Sequence, residues 1–221
     1  MYHYISYPPK GANRIRRDLS VWPNRFDEQM HFLAAHGYHT ITLEELALYL
    51  LEGKPLPPKP IVLTFDDGYI DNYQNAFPVL KKYGFKGVFF VITDFVTNRY
   101  KGYMTWSKLK RMADAGMAIE SHSRNHADLR HRSYEYLVWQ ALGSKEAIEN
   151  HLGIEPRFIC WPSGKYDRFA AKVFESAGYW GGTTEIQGVT QDSRHMFELQ
   201  RIRIRGSYDL KAFEWVLENT K

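Results

Sequence analysis

The sequence has 221 residues, of which 44% are hydrophobic and 24% charged, as in ordinary globular proteins, and this length fits one large domain or two small ones. The net charge is +4 and the basic residues are scattered rather than gathered on one stripe, which argues against a nucleic-acid-binding protein. No apolar run reaches the roughly 18 residues of a membrane span, and the single cysteine, Cys160, excludes an intramolecular disulfide.

Short apolar runs alternate with helical patterns along the whole chain. Tyr2–Ser6 predicts a strand, and the i, i+4, i+7 spacing of Phe26, Met30 and Leu33 predicts a helix that ends near Gly37. Further strands are predicted, in chain order, at Thr40–Leu43, Ile61–Phe65, Gly87–Thr93, Met117–Ser121, Arg157–Trp161, Tyr179–Thr184 and Leu199–Ile204. Helices are predicted between them: through Leu50 to Gly53, through Tyr73, Phe77 and Leu80 to Gly84, from Thr105 through Met112, from Tyr134 to about Leu152, and from Phe169 to Ala177.

The alternation of strands and helices predicts a parallel sheet with the helices packed outside it. About seven or eight strand–helix units in one chain favour a closed or nearly closed barrel, in which chemistry lies at the C-terminal ends of the strands. A doubly wound open sheet is the competing architecture, but no glycine-rich dinucleotide-binding motif supports it. We therefore expect an α/β barrel with its active site where the strands end.

Two adjacent carboxylates, Asp66 and Asp67, directly follow the apolar strand that ends at Phe65. Buried carboxylates are costly unless a cation or hydrogen-bond donors compensate them. Because side chains alternate along an extended chain, one carboxylate could bind a cation while the other reaches a neighbouring water. A plain turn is the alternative, since Asp-Gly is common after strands.

Two histidines, His122 and His126, follow the strand that ends at Ser121. Residues four apart on a helical turn share one face, and even on a loop they can converge on one ion. The alternative is a pair of surface histidines in a basic loop that also contains His131. Together with Asp67 they would give a three-ligand site with room for a water, which catalytic zinc activates by lowering its pKa to about 7. Asp66 would then be free to act as general base on that water.

Three motifs occur in order: Thr-Phe-Asp-Asp-Gly at 64–68, His-Ser-Arg-Asn-His at 122–126 and Trp-Pro-Ser-Gly at 161–164. This set resembles the polysaccharide deacetylase family, also called the NodB-homology domain or carbohydrate esterase family four. The resemblance extends from His3 to about Arg205; its first two motifs are highly specific and the third is looser. It implies a distorted (β/α)7-type barrel, similar to a TIM barrel, and a single catalytic domain over residues 1–221.

The resemblance also implies roles for individual residues. Asp66 matches the general base, and the metal ligands match Asp67, His122 and His126. The cofactor implied is one divalent metal ion, zinc first, with cobalt, nickel and iron as alternatives. The strand-end segment that walls the cleft matches Pro162, Ser163 and Gly164, and the backbone N–H of Ser163 would help to hold the tetrahedral oxyanion.

Two departures from the family pattern concern the groups around the base. Many members have an arginine two residues before the motif proline, where it steadies the base; here that position is Cys160, and Arg201 or Arg203 on the last predicted strand could replace it. Many members also carry a late Leu-x-x-His acid motif, which His195 does not match. His3 instead resembles the early histidine acid of the poly-N-acetylglucosamine deacetylase branch, in which the motif order is circularly permuted. A hydrogen-bonded core histidine is the alternative.

Several further side chains near the predicted strand ends are candidates for the site. Aromatic rings could stack on sugar rings, although core packing is the alternative for each; the candidates are Tyr69, Trp161, Tyr166 and Trp180. Trp161 and Tyr166 are favoured because they flank the third motif. Glu120 lies two residues before His122 on the same strand face, and it could support His3 or an arginine, or only pair inside the barrel.

The implied reaction is hydrolysis of acetamido groups on an N-acetylglucosamine polysaccharide, with poly-β-1,6-N-acetylglucosamine favoured by the early histidine. The alternatives are peptidoglycan, chitin oligomers, a small N-acyl compound or O-acetylated xylan as the substrate, and a carbohydrate-binding relative without activity. No signal peptide opens the chain, so either the protein stays inside the cell or its export segment is absent from this chain. A polysaccharide substrate favours an extracytoplasmic location. The sequence predicts no nucleic-acid partner and leaves the oligomeric state open.

Overall fold

Short parallel strands form the framework of the protein, whose computed structural model describes residues 1–219. Numbered in chain order, the strands are β1 (Tyr4–Ile5), β2 (Ser20–Val21), β3 (His39–Thr40), β4 (Pro60–Ile61), β5 (Thr64–Phe65), β6 (Val88–Val91), β7 (Ala118–Ser121), β8 (Phe158–Cys160) and β9 (Gly181–Thr183). Strands β5 to β9 form a five-stranded parallel sheet in chain order, while β1 pairs with β2 and β3 with β4.

The helices lie between the strands, as the sequence predicts for an α/β fold. They are α1 (Arg14–Asp18), α2 (Pro23–Ala35), α3 (Leu43–Glu52), α4 (Phe77–Lys82), α5 (Thr93–Thr97), α6 (Trp106–Asp114), α7 (Tyr134–Leu152), α8 (Arg168–Ser176) and α9 (Leu210–Asn219). Their ends follow local sequence: Thr42 and Glu45 form a capping box at the start of α3, and Gly53 ends that helix at a φ of 70°. Within residues 1–219, no helix is long and apolar enough to cross a membrane.

Backbone hydrogen bonds join the two edges of the five-stranded sheet to the N-terminal segment and to residues 199–204. At one edge, Tyr2 donates to Thr64 and accepts from Asp66, at 2.8 and 3.0 Å. At the other edge, Leu199 donates to Gly182 at 2.9 Å, and Ile204 then donates to Met1 at 3.0 Å. These contacts curl the sheet into a distorted (β/α)7-type barrel. The predicted fold is therefore confirmed.

Three predicted strands differ in the structure. Residues 199–204 are not a strand, because successive N–H groups go to different partners: Leu199 to Gly182, but Arg201 to Ile186. The predicted strand 61–65 divides in two, since Ile61 pairs with β3 and Thr64 with β6. The predicted strand 40–43 is only two residues long because Thr42 caps α3. Four elements of the structure, α1, β2, α5 and α9, have no counterpart among the predicted ones.

Stacked aromatic rings fix the register between the N-terminal segment and the sheet. Tyr2 stacks on Phe65 with ring centroids 5.4 Å apart, Phe65 stacks on Phe89 at 4.6 Å, and Phe26 of α2 packs edge-on against Tyr2 at 5.2 Å. Each such pair contributes about 0.5–1.5 kcal/mol beyond its buried area. Because Tyr2 is fixed beside Phe65, the residue that follows it, His3, is brought next to Asp66.

Candidate active site

The two carboxylates of the first motif follow β5 and point to different partners. Both are buried, and the chain turns at this point with a φ of 72° at Asp67 and 79° at Gly68. A side chain at Gly68 would have its Cβ 3.2 Å from a methyl group of Val91, so both the turn and the close packing favour glycine. The turn separates the two neighbouring carboxylates into two distinct environments.

Asp67 lies among the imidazole nitrogens of both motif histidines. Its Oδ1 is 3.2 Å from Nε2 of His122 and 3.5 Å from Nε2 of His126. One ligand atom of each of the three residues lies within 4.8 Å of the others. Two nitrogens and one carboxylate oxygen converging on one point match the donor set of an open zinc site.

The orientation of His122 is set by a backbone carbonyl. Its Nδ1 lies 2.6 Å from the carbonyl oxygen of Cys160, at the end of β8. Because that oxygen can only accept, Nδ1 donates to it, and Nε2, which faces Asp67, is the nitrogen that would bind a metal ion. Metal-bound histidines commonly make this kind of bond through their other nitrogen. The residues present therefore fit a bound divalent ion.

The loop that carries the second histidine has an unusual backbone. Ser123 and His126 have positive φ values of 61° and 60°. Residues other than glycine held in this region cost about 1–3 kcal/mol each, and such residues occur often at functional sites. The hydroxyl of Ser123 accepts a hydrogen bond from the backbone N–H of His126 at 3.2 Å, which helps to hold this turn.

Asp66 is held by a buried arginine. Arg201 donates from both terminal nitrogens to the two carboxylate oxygens, at 2.7 and 2.9 Å. Although burial alone would raise the pKa of Asp66, the Arg201 guanidinium holds it well below its usual range. The thiol of Cys160 completes this contact, 3.1 Å from Arg201 and 3.5 Å from Asp66. Asp66 is therefore ionised near pH 7.

A second group of possible ligands, Asp66, His122 and Cys160, overlaps the first. It suits an ion less well, because the Arg201 guanidinium already neutralises Asp66 and donates to the Cys160 sulfur. The positive charge of the Arg201 guanidinium would also repel a metal ion bound at this second group. The first group remains the better candidate.

His3 lies on the other side of Asp66. Its Nε2 is 3.9 Å from Oδ2 of Asp66, and its backbone carbonyl accepts a hydrogen bond from Asn72 at 2.8 Å. Burial lowers the pKa of His3, and the negative charge of Asp66 opposes that effect. The imidazole is thus close to Asp66 and neutral near pH 7 in the protein alone.

A cavity of about 290 Å³ opens over these groups. Its wall includes the two carboxylates of the first motif and the two histidines of the second. The other lining residues are His3, Ile15, Leu19, Trp161, Ser163, Glu185 and Arg203. Ser163 lies in the 3₁₀ turn Pro162–Gly164 with a φ of 51°, and its side chain is exposed. A larger and mainly apolar cavity of about 410 Å³ lies beside α3 and α9, and neither Asp67 nor the two motif histidines line it.

The four aromatic candidates have different surroundings. Trp161 is fully buried, donates to the Phe197 carbonyl at 2.9 Å and stacks on half-buried Tyr166 at 4.6 Å. Tyr69 is half-buried and stacks on Tyr4 at 3.7 Å. These rings pack against one another, so any sugar would contact only their edges or free faces.

Trp180 is the one aromatic candidate that the fold places elsewhere. It precedes β9, so it lies at the end of the sheet opposite to the motifs, where Arg157 packs 3.8 Å over its ring. Trp180 does not line the cavity over the motifs, because it lies at the N-terminal end of β9, whereas the motifs follow the C-terminal ends of their strands.

Two supporting residues also have defined partners. Glu120 accepts hydrogen bonds from the backbone N–H groups of Arg157 and Phe158 at 2.8 and 2.9 Å. It therefore supports the start of β8 and not His3 or an arginine side chain. Burial raises the pKa of Glu120 to about 8. Arg203 pairs with Glu185 at 2.8 Å, which leaves Arg201 as the arginine that contacts Asp66.

The part of the cavity wall that α1 forms was not predicted from the sequence. Ile15 and Leu19 line the cavity from this short helix and its C-terminal end. The signal was available: Asn13 accepts from the backbone of Arg16 as a helix cap, and the two apolar residues are four apart. Glu185 was also missed, because it lies in an irregular segment after β9 that has no periodic pattern.

Comparison with known proteins gives consistent matches. Residues 53–181 match the family described as polysaccharide deacetylase. YxkH of Bacillus subtilis (strain 168), which carries a provisional polysaccharide deacetylase name, is 34% identical over 221 residues, or 100% of this chain and 76% of that protein. The poly-beta-1,6-N-acetyl-D-glucosamine N-deacetylase of Staphylococcus epidermidis is 27% identical over 93% of this chain and 75% of its own length. The structure of the Streptococcus pyogenes deacetylase PplD in complex with acetate superposes with a TM-score of 0.90 and 29% identity, over 98% of this chain and 95% of that one.

Proposed function

Since this chain belongs to the polysaccharide deacetylase family, we propose that it is a metal-dependent hydrolase that removes acetyl groups from an N-acetylglucosamine polysaccharide. The observation that carries this proposal is the convergence of Asp67, His122 and His126 beside Asp66, which is ion-paired to Arg201. Residues 1–221 would act as one catalytic domain.

The metal ion would be held by Asp67, His122 and His126, with zinc as the first choice and cobalt, nickel or iron as alternatives. When bound, such an ion supplies Lewis acidity to a carbonyl oxygen and lowers the pKa of a water molecule. Burial would raise the pKa of Asp67, but the hydrogen bond and the charge of His122 lower it. The carboxylate therefore stays ionised and available as a ligand.

Asp66 would act as the general base. The Arg201 guanidinium holds its carboxylate ionised and fixed in one orientation, so it can accept a proton from the attacking water. A carboxylate of such low pKa does not retain the proton, which must pass on as the C–N bond of the acetamide breaks.

His3 would return a proton to the leaving sugar amine. Its imidazole lies 3.9 Å from Asp66 and lines the same cavity, so it can receive a proton at the site and donate it to the amine nitrogen. The backbone N–H of Ser163, on the facing wall, would stabilise the oxyanion of the tetrahedral intermediate, a contribution of a few kcal/mol in other hydrolases. The products are acetate and a free glucosamine amine.

The substrate that we propose is poly-β-1,6-N-acetylglucosamine. The support is the early position of His3 and the name of the relative from Staphylococcus epidermidis, which is 27% identical. Peptidoglycan, chitin oligomers and O-acetylated xylan are the alternatives. A polymer of this kind is a component of the cell surface, so we also propose an extracytoplasmic site of action.

Acetate release from defined oligomers tests the proposed function. We expect release from β-1,6-linked N-acetylglucosamine oligomers to exceed that from β-1,4-linked ones and from O-acetylated xylan, and a chelator should suppress it. Faster release from the O-acetylated xylan would favour an esterase. The absence of chelator-sensitive release from every N-acetylated oligomer would contradict the proposal.

Replacing His3 with alanine tests its role as the acid. We expect His3→Ala to retain its fold and its affinity for Zn²⁺ but to lose about 10²–10⁴-fold in deacetylation rate, because the amine would leave without a proton donor. His39→Ala, at an exposed histidine of β3, is the control and should retain full activity. Near-normal acetate release by His3→Ala would remove His3 from the mechanism.

A further inference from the structure

In the loop between the two histidine ligands, three backbone N–H groups donate to side-chain acceptors. Ser123 donates its N–H to the hydroxyl of Ser121 at 3.1 Å, and His126 donates to the hydroxyl of Ser123 at 3.2 Å. Between them, Arg124 donates its N–H to the amide oxygen of Gln140 at 3.0 Å. Only this last acceptor lies outside the motif and the strand before it.

Gln140 lies on α7 and is fully buried. Its amide oxygen accepts from Arg124, and its amide nitrogen donates to Oδ1 of Asn125 at 2.7 Å and to the hydroxyl of Tyr136 at 2.9 Å. One buried side chain thus bonds to the two consecutive residues, Arg124 and Asn125, that precede His126. A buried amide with all these bonds formed has one favoured orientation, and it transmits the position of α7 to the loop.

This clamp acts where the backbone most needs support. Ser123 and His126, on either side of the two clamped residues, both have positive φ values. A non-glycine residue stays in that region only when its surroundings fix it. The carbonyl of Arg124 accepts from the backbone N–H of Asp94 at 2.9 Å, whereas its own N–H donates to Gln140. The ion pair of the Arg124 side chain with Asp94, at 3.0 Å, is partly exposed, and water and salt weaken such pairs.

We propose that Gln140 is a positioning residue that holds His126 in the geometry required to bind the metal ion. This inference rests on the proposed function, in which His126 is a ligand. Without the amide, the Arg124 N–H would have no acceptor in the protein interior, and the loop would sample other conformations. His126 would then be a weaker ligand, whereas Asp67 and His122, which are held by β5 and β7 and by the Cys160 carbonyl, would keep their places.

The test measures metal affinity rather than activity alone. Metal-stripped Gln140→Leu protein is titrated with Zn²⁺ against a chromophoric chelator, and the visible absorption of bound Co²⁺ reports the geometry of the ligands. We expect the Zn²⁺ affinity to fall about 10- to 100-fold and the Co²⁺ spectrum to change, as for other partners that orient metal ligands. Asn125→Ala, which removes one of the two loop contacts from the other side, should lower the affinity by a smaller factor.

Gln29→Leu is the matched control. Gln29 is also a buried glutamine, on α2, and its amide oxygen accepts from the Tyr2 hydroxyl at 2.9 Å. We expect both leucine variants to lower the unfolding temperature of the stripped protein, but only Gln140→Leu to lose Zn²⁺ affinity. Equal affinity in Gln140→Leu, Asn125→Ala and the wild type would overturn the inference while leaving the proposed function intact. A wild-type protein that binds neither ion would instead contradict the proposed function.

If Gln140→Leu does not fold, Asn125→Ala decides the question. Asn125 is half-buried on the loop surface, so its truncation leaves the packing of α7 unchanged. A weaker Zn²⁺ affinity with an unchanged unfolding temperature of the stripped protein supports the clamp, and an unchanged affinity refutes it.

Discussion

Asp66→Asn is expected to lose about 10²–10⁴-fold in the rate of acetate release while still binding Zn²⁺. Asparagine has nearly the same shape and can still accept from Arg201, but its amide cannot take a proton from water. The ligands Asp67, His122 and His126 are unchanged, so the metal affinity should stay close to that of the wild type. The rate and the Zn²⁺ affinity are measured on the same preparation.

Asp71→Asn is the control for this change. Asp71 is also buried and follows Asp66 closely in sequence, but its carboxylate accepts from Ser6 and Asn72. It should keep most of the wild-type rate. Retention of substantial activity by Asp66→Asn, or loss of its Zn²⁺ binding, would show that Asp66 is not the base or that it is itself a ligand.

Arg201→Met is expected to have the second large effect, on stability and activity together. The change leaves the Asp66 carboxylate buried without its partner, and breaking one side of a buried pair costs about 3–5 kcal/mol of unfolding free energy. Arg205→Met is the control, because Arg205 pairs with Asp18 at the surface, where such a pair contributes about 0–1 kcal/mol. Urea unfolding measures both variants, and equal losses would contradict the assigned role.

The pH dependence of these losses has a definite sign. With Arg201 present, the folded-state pKa of Asp66 is below its unfolded value of about 3.9, so the pair stabilises the protein above that pH and the contribution is lost as the pH falls through the folded pKa. Without Arg201, burial dominates and raises the pKa of Asp66. The stability difference should therefore be large at pH 8, begin to shrink as the pH falls through the raised pKa of Asp66 in the variant, and shrink further below about pH 4. The acid limb of the activity profile should move to higher pH.

The convergence of Asp67, His122 and His126 could be predicted from sequence because parallel strands bring distant residues to one edge. Asp67 and His122 follow β5 and β7, two strands of one sheet, and their C-terminal ends meet whatever the details of the loops. The two histidines are also close in sequence, so local geometry alone brings their rings near each other. Nothing beyond the strand pattern was needed to expect these three side chains together.

The arginine that pairs with Asp66 could not be chosen from sequence. Arg201 and Arg203 are two residues apart and were equal candidates as long as residues 199–204 were expected to form a strand, on which both would face the same side. The segment is irregular in the structure, so Arg201 reaches Asp66 while Arg203 pairs with Glu185. Such irregular backbone follows from tertiary hydrogen bonds that no periodic pattern encodes.

The contact of α7 with the histidine loop could not be predicted from sequence either. Gln140 is a polar residue in an amphipathic helix, so the sequence pattern places it on the exposed face. It is buried because α7 packs against β7 and the loop. The same limit applies to α1, whose five residues are too few for a clear helical period. Contacts between elements that are far apart in sequence are therefore where the structure adds most.

One titration tests the central claim most directly. Metal-stripped protein is supplied with Zn²⁺ in steps, and acetate release from a β-1,6-linked N-acetylglucosamine oligomer is measured at each step. The proposed site predicts no release at the start, a linear recovery, and an end point of about one ion per chain. Full activity in the stripped protein, or no recovery with Zn²⁺, Co²⁺, Ni²⁺ or Fe²⁺, would contradict it.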